Sequence, residues 1–372
     1  MSTPSTPELS ADIQRRVAGV IASWASTETP QAVVQAIEAL DEPALREVQA
    51  VLDEVEDLDD RTVYDVLGRD GQPKAEHHYR SCRAEDAESS WDHRPASPTI
   101  RLLRDALLDD VLGPTGLNVH GAQGVVDALA DGKRLLFISN HESVFDLAVL
   151  PWALSKADLH DLSERLTFFV NPKIFNIAFV NLFVCKAIGV IKMPQSPRIA
   201  TNESVMRSED IQRRAAHGFG VAERQLADGG SLVIYPEGLR NGGVLHRFAR
   251  AYLRLIQGDS SGHIQSGDVL LVPWAHQGLR DLERLPDPCP PITVTFGEPV
   301  HPNVLFGEDG STPMRIAGHM AGYLVARLLP ETQRGLYGDN PSSYLEHPHF
   351  RQRVQAHTLV DIGLAKEALE KR

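Results

Sequence analysis

Short, almost purely apolar runs alternate along the chain with longer stretches in which apolar residues return every three or four positions. The runs 134–139, 166–170, 189–193, 231–235, 269–274 and 291–296 are rich in Val, Ile, Leu and Phe, the pattern of strands buried on both faces. Helices are predicted at about 144–156, 172–187, 204–227, 246–257 and 312–328, with two more at 98–112 and 123–130 ahead of the first strand. Alternation of this kind defines an α/β fold: a mixed, largely parallel central sheet flanked by helices.

The N-terminal part has a different texture. Residues 11–23, 30–40, 43–58 and 61–67 read as three or four short helices, a small helical bundle placed before the sheet. Residues 1–10, rich in Ser, Thr and Pro, read as a disordered lead-in without the basic and apolar regions of an export signal. Residues 68–98 are polar and rich in Gly, Pro and His, the composition of a linker. The reading is therefore a helical domain and linker over 11–97 and an α/β domain over 98–372, closed by a helix within 344–371. The acidic run Asp53 to Asp60 reads as a solvated face.

Composition narrows the partners. Of 372 residues 42% are hydrophobic and 23% charged, enough apolar material for one or two cored domains. A net charge of -13 excludes broad binding to nucleic acid and coating of an anionic membrane, leaving partners to be met through local patches. Cys82, Cys185 and Cys289 are too few and too scattered for a disulfide framework or a zinc site, which fits a reducing cytoplasm. The longest apolar stretch, 174–191, is broken by Asn176, Asn181 and Lys186, so it reads as a buried amphipathic helix rather than a membrane span. Peripheral membrane contact through a greasy surface there is the lesser alternative.

Chemistry concentrates at two strand ends. In Asn140-His141-Glu142-Ser143-Val144-Phe145-Asp146 an imidazole and a carboxylate follow the apolar run 134–139. Ser143 and Asp146, three residues apart, read as a capping box opening a helix, which leaves His141 on the loop side. His141 is a candidate general base and Asp146 its partner, against the plainer alternatives of a structural histidine and a helix cap. In Tyr235-Pro236-Glu237-Gly238-Leu239-Arg240-Asn241-Gly242-Gly243 a carboxylate, a guanidinium and three glycines follow the run 231–235. Ligands bind at such strand ends, and a guanidinium in a Gly-rich turn suits a phosphate. Lys192, and less strongly Arg198, add positive charge after the run 189–193, against the plain alternative of solvated surface charge. Phe145, Phe175, Phe179, Phe183 and Val184 are candidates for an apolar groove, with plain core as the alternative.

These motifs resemble those of the glycerolipid acyltransferases, the family with a His-four-residues-Asp signature. Asn140-His141 to Asp146 looks like its first block and 168–195, ending in Gly189-Val190-Ile191, like the second. Pro236-Glu237-Gly238-Leu239-Arg240 is similar to the third, and Leu271-Val272-Pro273-Trp274-Ala275 to the fourth. Arg247-Phe248 and Phe296-Gly297-Glu298-Pro299-Val300 also fit, so the resemblance runs from about 130 to 300. Leu239 stands where the third block usually has Thr, Asn241 where it has Ser, and Gln195 where the second often closes on a basic residue. The N-terminal helices are similar in architecture to the soluble, plastid-type glycerol-3-phosphate acyltransferases.

The resemblance implies transfer of an acyl group from an acyl carrier protein or coenzyme A thioester to the hydroxyl of glycerol 3-phosphate or lysophosphatidate. It implies no cofactor beyond that co-substrate and no metal, His141 and Asp146 as catalytic residues, and Asn140, Glu237, Gly238, Arg240 and Lys192 as substrate-binding residues. The altered third block keeps a non-phospholipid acceptor open. Rival readings are a serine hydrolase at Ser260 in Gly258-Asp259-Ser260-Ser261-Gly262, a metal site at Glu76, His77, His78 and Cys82, and a non-catalytic acyl-thioester or lipid-binding protein.

Overall fold

A computed structural model of the chain describes residues 5–25, 28–56, 91–194, 208–238, 240, 243–257, 267–280, 282, 289–339, 341 and 358–371. Seven strands make one sheet: β1 (Leu117–His120), β2 (Arg134–Ile138), β3 (Leu166–Val170), β4 (Gly189–Lys192), β5 (Ser231–Ile234), β6 (Val269–Gln277) and β7 (Ile292–Phe296), in the order β1-β7-β6-β2-β5-β3-β4. β2 runs parallel to β5, with Leu136 opposite Leu232, and to β6, with Leu136 opposite Leu271; β3 and β4 are also parallel. β7 is antiparallel to β6. Leu135 to Ile138 are fully buried, as the apolar run demanded, and the α/β class with helices before and around the sheet holds.

The chain forms two compact units, interleaved in sequence: 1–117 with 143–218 and 281–292, and 118–142 with 219–280 and 293–372. The boundary read from sequence at 97/98 falls inside the first unit.

The first unit contains the N-terminal helices Thr6–Ala25, Gln31–Glu38 and Glu42–Glu56, followed by Pro98–Leu112, Asp146–Lys156 and the pair β3-β4. Leu9, Ile13, Val17 and Ile21, four apart, form the buried stripe of the first helix. That helix opens at Thr6, inside the stretch expected to be disordered, where the Ser5 backbone N–H and hydroxyl both donate to Glu8, each at 2.9 Å; the backbone bond is the Glu half of a capping box. The same bonds hold the Glu8 carboxyl below its usual range. The end of the expected linker is also structured. Trp91 is fully buried, and Arg94 exchanges two backbone hydrogen bonds with Val190, lining the edge of β4. The helix expected at 61–67, the histidine cluster 76–82 and Ser260 lie outside the described residues.

The single helix expected at 172–187 is a correction. The chain instead makes a 3-10 segment at Pro172–Asn176, one α turn at Ala178–Val180 and a π turn at Asn181–Cys185. The Asn181 amide donates to the Phe175 carbonyl at 3.0 Å, and the Lys186 N–H reaches back five residues to Asn181, so the α ladder is broken twice. Phe175, Phe179, Val180, Phe183 and Val184 are all buried, which is burial from every side and not an amphipathic face.

The second unit holds β5, β2 and β6 side by side, with the helices Ala122–Ala130, Met314–Ala326 and Thr358–Glu370. β1 escaped the sequence reading because its burial alternates along four residues and two of them are polar. β6 runs three residues past its expected end, since Ala275, His276 and Gln277 find antiparallel partners on β7. The helix expected at 246–257 exists only as Ala251–Leu253 and Arg254–Gln257. The backbone N–H groups of His246, Phe248 and Ala249 are taken by Glu237, Tyr337 and Pro236 instead of a helical ladder. Among the described residues no helix is long and apolar enough to cross a membrane.

Candidate active site

The second unit gathers its polar side chains where β2, β5 and β6 end. Just past β2, the Asn140 side chain behaves as one more peptide: its amide donates to the His276 carbonyl at 3.0 Å and its oxygen accepts the His276 N–H at 3.1 Å. Glu142 accepts the Leu279 N–H at 3.3 Å, and the Ser139 hydroxyl lies 3.3 Å from His276 Nδ1. Ser139, Asn140 and Glu142 are buried, so the turn carrying His141 is tied down on both sides of it.

His141 itself is half-buried. Its backbone N–H donates to Glu237 Oε1 at 2.9 Å, and its ring stacks on Tyr235 with centroids 4.7 Å apart and planes 26° from parallel. Tyr235 is braced edge-on by Trp274 and His276. The second oxygen of Glu237 accepts the His246 N–H at 2.7 Å. Gly238 has φ +70°, which favours glycine, and its N–H returns to the Tyr235 carbonyl at 3.0 Å. Arg240 is half-buried two residues on; Leu239, Asn241 and Gly242 lie outside the described residues.

The other named residues belong to the first unit. Asp146 is fully buried and opens the helix Asp146–Lys156, its Oδ1 accepting the Ser143 N–H at 3.0 Å. That is one half of the expected capping box; the Ser143 hydroxyl accepts the Phe145 N–H, one residue short of the reciprocal half. Lys192 is buried, with Nζ 5.3 Å from the Phe175 ring centre and 6.0 Å from that of Trp91. Arg94 and Arg214 lie over the same two rings, at 5.4 Å and 4.9 Å. Of the five groove candidates, Phe145, Phe179 and Phe183 form one aromatic cluster, joined by Trp24, which stacks on Phe179 at 4.8 Å. Phe175 packs under Lys192 and Arg94.

Sequence reading thus placed His141, Asn140 and Glu237 together, and the structure bonds His141 to Glu237 across a sequence separation of 96. It missed Tyr235, His276, Tyr337 and Trp24. Tyr235 had a signal, an aromatic residue ending a strand directly before the Pro-Glu-Gly turn; the other three had none. Among the described residues no three His, Cys, Asp or Glu side chains are grouped to hold a metal ion.

Fold and site together define an α/β protein whose polar chemistry collects at the C-terminal ends of parallel strands. Residues 116–277 match the family model described as Acyltransferase. The match stops at Gln277, the last residue of β6, so everything from 278 onward lies beyond it. No curated protein sequence matches the chain.

Proposed function

We propose that the protein is an O-acyltransferase that moves a fatty acyl group from an acyl thioester, on acyl carrier protein or coenzyme A, to an alcohol, with His141 as general base. The observation carrying this reading is the half-buried His141 ring laid on Tyr235, with its backbone fixed by Glu237. A thioester is already activated, so what remains is to deprotonate the hydroxyl as it attacks and to stabilise the oxyanion. The alcohol proton passes to the imidazole while its oxygen bonds to the thioester carbonyl carbon. Collapse of the tetrahedral intermediate breaks the C–S bond, and the leaving thiolate takes the proton back. An ordinary imidazole is mostly neutral at neutral pH and ready for the first step. Asp146 would support the imidazolium.

The acceptor in this reading is glycerol 3-phosphate or lysophosphatidate, with Arg240 and Lys192 pairing to its phosphate, Gly238 turning the backbone beside it and Asn140 holding the turn. Glu237 acts through His141, its two oxygens being engaged by backbone amides. Leu239, Asn241 and Gln195, which depart from the family's motifs, favour a neutral or otherwise non-phospholipid acceptor as the second reading. The protein would work in the cytoplasm, meeting any membrane peripherally. Kinetics of Arg240→Ala with phosphorylated and neutral acceptors separate the two. A KM increase confined to phosphorylated acceptors supports the first; equal loss for both removes the phosphate assignment.

A further inference from the structure

We propose that Tyr337, supplied from beyond the acyltransferase-family segment, is a positioning residue for His141, acting through the chain segment 245–249. The inference rests on the reading of His141 as the base, and deepens it. Segment 245–249 has neither helix nor strand of its own. One side of it is bonded to the residues that hold His141: the His246 N–H to Glu237 at 2.7 Å and the Ala249 N–H to the Pro236 carbonyl at 2.7 Å. The other side is bonded to residues 333–337: the Phe248 N–H donates to the Tyr337 hydroxyl at 3.1 Å, the Leu245 N–H to the Gln333 carbonyl at 2.9 Å, and the Leu336 N–H to the Leu245 carbonyl at 3.2 Å.

The seat of Tyr337 is narrow. A Cβ on Gly322 would fall 2.3 Å from Tyr337 Cζ and 2.6 Å from its hydroxyl oxygen, so only glycine at 322 lets the ring approach the helix Met314–Ala326. Gly335, at φ +52°, brings the backbone against Leu245, where a Cβ would meet the Leu245 carbonyl oxygen at 2.3 Å. Tyr323 and Phe248 pack edge-on against the ring, and His319 Nδ1 lies 3.4 Å from the hydroxyl. Burial pushes the phenol far above its ordinary range, so it stays protonated and can accept the Phe248 N–H at any working pH. The path from Tyr337 to His141 is therefore two backbone amides and one carboxylate, with rigid packing behind it. A site held to within a fraction of an ångström loses rate when such support is removed.

The test compares the full-length protein with Tyr337→Phe, Gly322→Ala and a control, Val125→Ala, in the helix Ala122–Ala130. Three quantities are read: kcat and KM with an acyl-coenzyme A and whichever alcohol the parent acylates, thermal melting, and hydrogen exchange of peptides covering 135–145 and 243–250. Tyr337→Phe removes only the hydroxyl, whereas Gly322→Ala displaces the ring with the hydroxyl intact. Both should lower kcat by about ten- to a hundredfold, with KM for the thioester within about twofold of the parent. Both should also raise exchange in the two peptides by roughly tenfold or more. The control should lose thermal stability without either change. A folded Tyr337→Phe or Gly322→Ala protein with parental kcat and parental exchange overturns the proposal. If the parent acylates no alcohol, the functional reading falls on its own, and exchange then decides the positioning role: an unchanged 135–145 peptide sinks it.

Discussion

Glu237 accepts the His141 backbone N–H on one carboxylate oxygen, at 2.9 Å, and the His246 N–H on the other, at 2.7 Å. A single buried side chain thus fastens the turn after β2 to the segment that follows the Pro-Glu-Gly turn. A carboxylate suits this task because it only accepts, and charge-assisted bonds to N–H groups are the stronger kind.

Glu237→Gln should separate this role from contact with substrate. The amide keeps one acceptor but turns a donor toward a backbone N–H, at a cost of about 1–3 kcal/mol for the unsatisfied group. The expected result is a lower melting temperature and a lower kcat, with KM for the acceptor near the parental value. A higher acceptor KM at unchanged kcat would show that Glu237 touches the acceptor.

The ring beneath His141 gives a second test. Tyr235→Phe keeps the aromatic surface at 4.7 Å, whereas Tyr235→Ala removes it. Aromatic pairs contribute about 0.5–1.5 kcal/mol beyond burial, so kcat should fall by up to roughly tenfold in Tyr235→Ala and stay closer to the parent in Tyr235→Phe. Equal effects of the two substitutions would assign the contribution to the hydroxyl.

Asn140 both donates to and accepts from the His276 backbone. Asn140→Asp sets an acceptor against the His276 carbonyl, while Asn140→Ala leaves both backbone groups unpaired, so each should lower stability by about 1–3 kcal/mol or more in denaturant melts. Indifference to both changes would mean that the turn is held by other contacts.

Cys185 supplies a dependence on pH. Full burial pushes its thiol up to about 12, against the lowering effect of Arg94, Lys186 and Lys192. A group whose proton is held more tightly in the folded state contributes stability that is complete below the unfolded thiol's value, about 8.5, and is lost as pH rises toward the folded value. The protein should therefore weaken progressively above pH ~9 in denaturant melts, and Cys185 should resist alkylation at neutral pH until the chain unfolds. Ready alkylation of the native protein would contradict its burial.

How much was readable in advance follows from where the information sits. The buried strands and the His141 turn were legible because continuous apolar runs end abruptly in polar, chemically able residues. The Pro-Glu-Gly turn was legible for the same reason, and two polar clusters at strand ends point to one site. Local signals failed where a distant partner decides the backbone. Leu245, Phe248, Tyr252, Leu253, Leu255 and Ile256 carry a helical spacing, yet 246–250 is irregular because Glu237, Pro236 and Tyr337 claim its amides. The stretch 172–187 broke at Asn181, whose side chain prefers the Phe175 carbonyl, and no periodicity reports that choice.

The most direct measurement is product formation by purified parent and His141→Ala proteins, offered long-chain acyl-coenzyme A and acyl carrier protein thioesters with a panel of alcohols that includes glycerol 3-phosphate. Products are identified by mass spectrometry and thiol release is followed in parallel. The parent should form an ester with release of one thiol per ester, and His141→Ala, still folded, should lose at least about a thousandfold in kcat, the scale of general-base catalysis at its upper range. Ester formation at the parental rate by the folded His141→Ala protein would contradict the account.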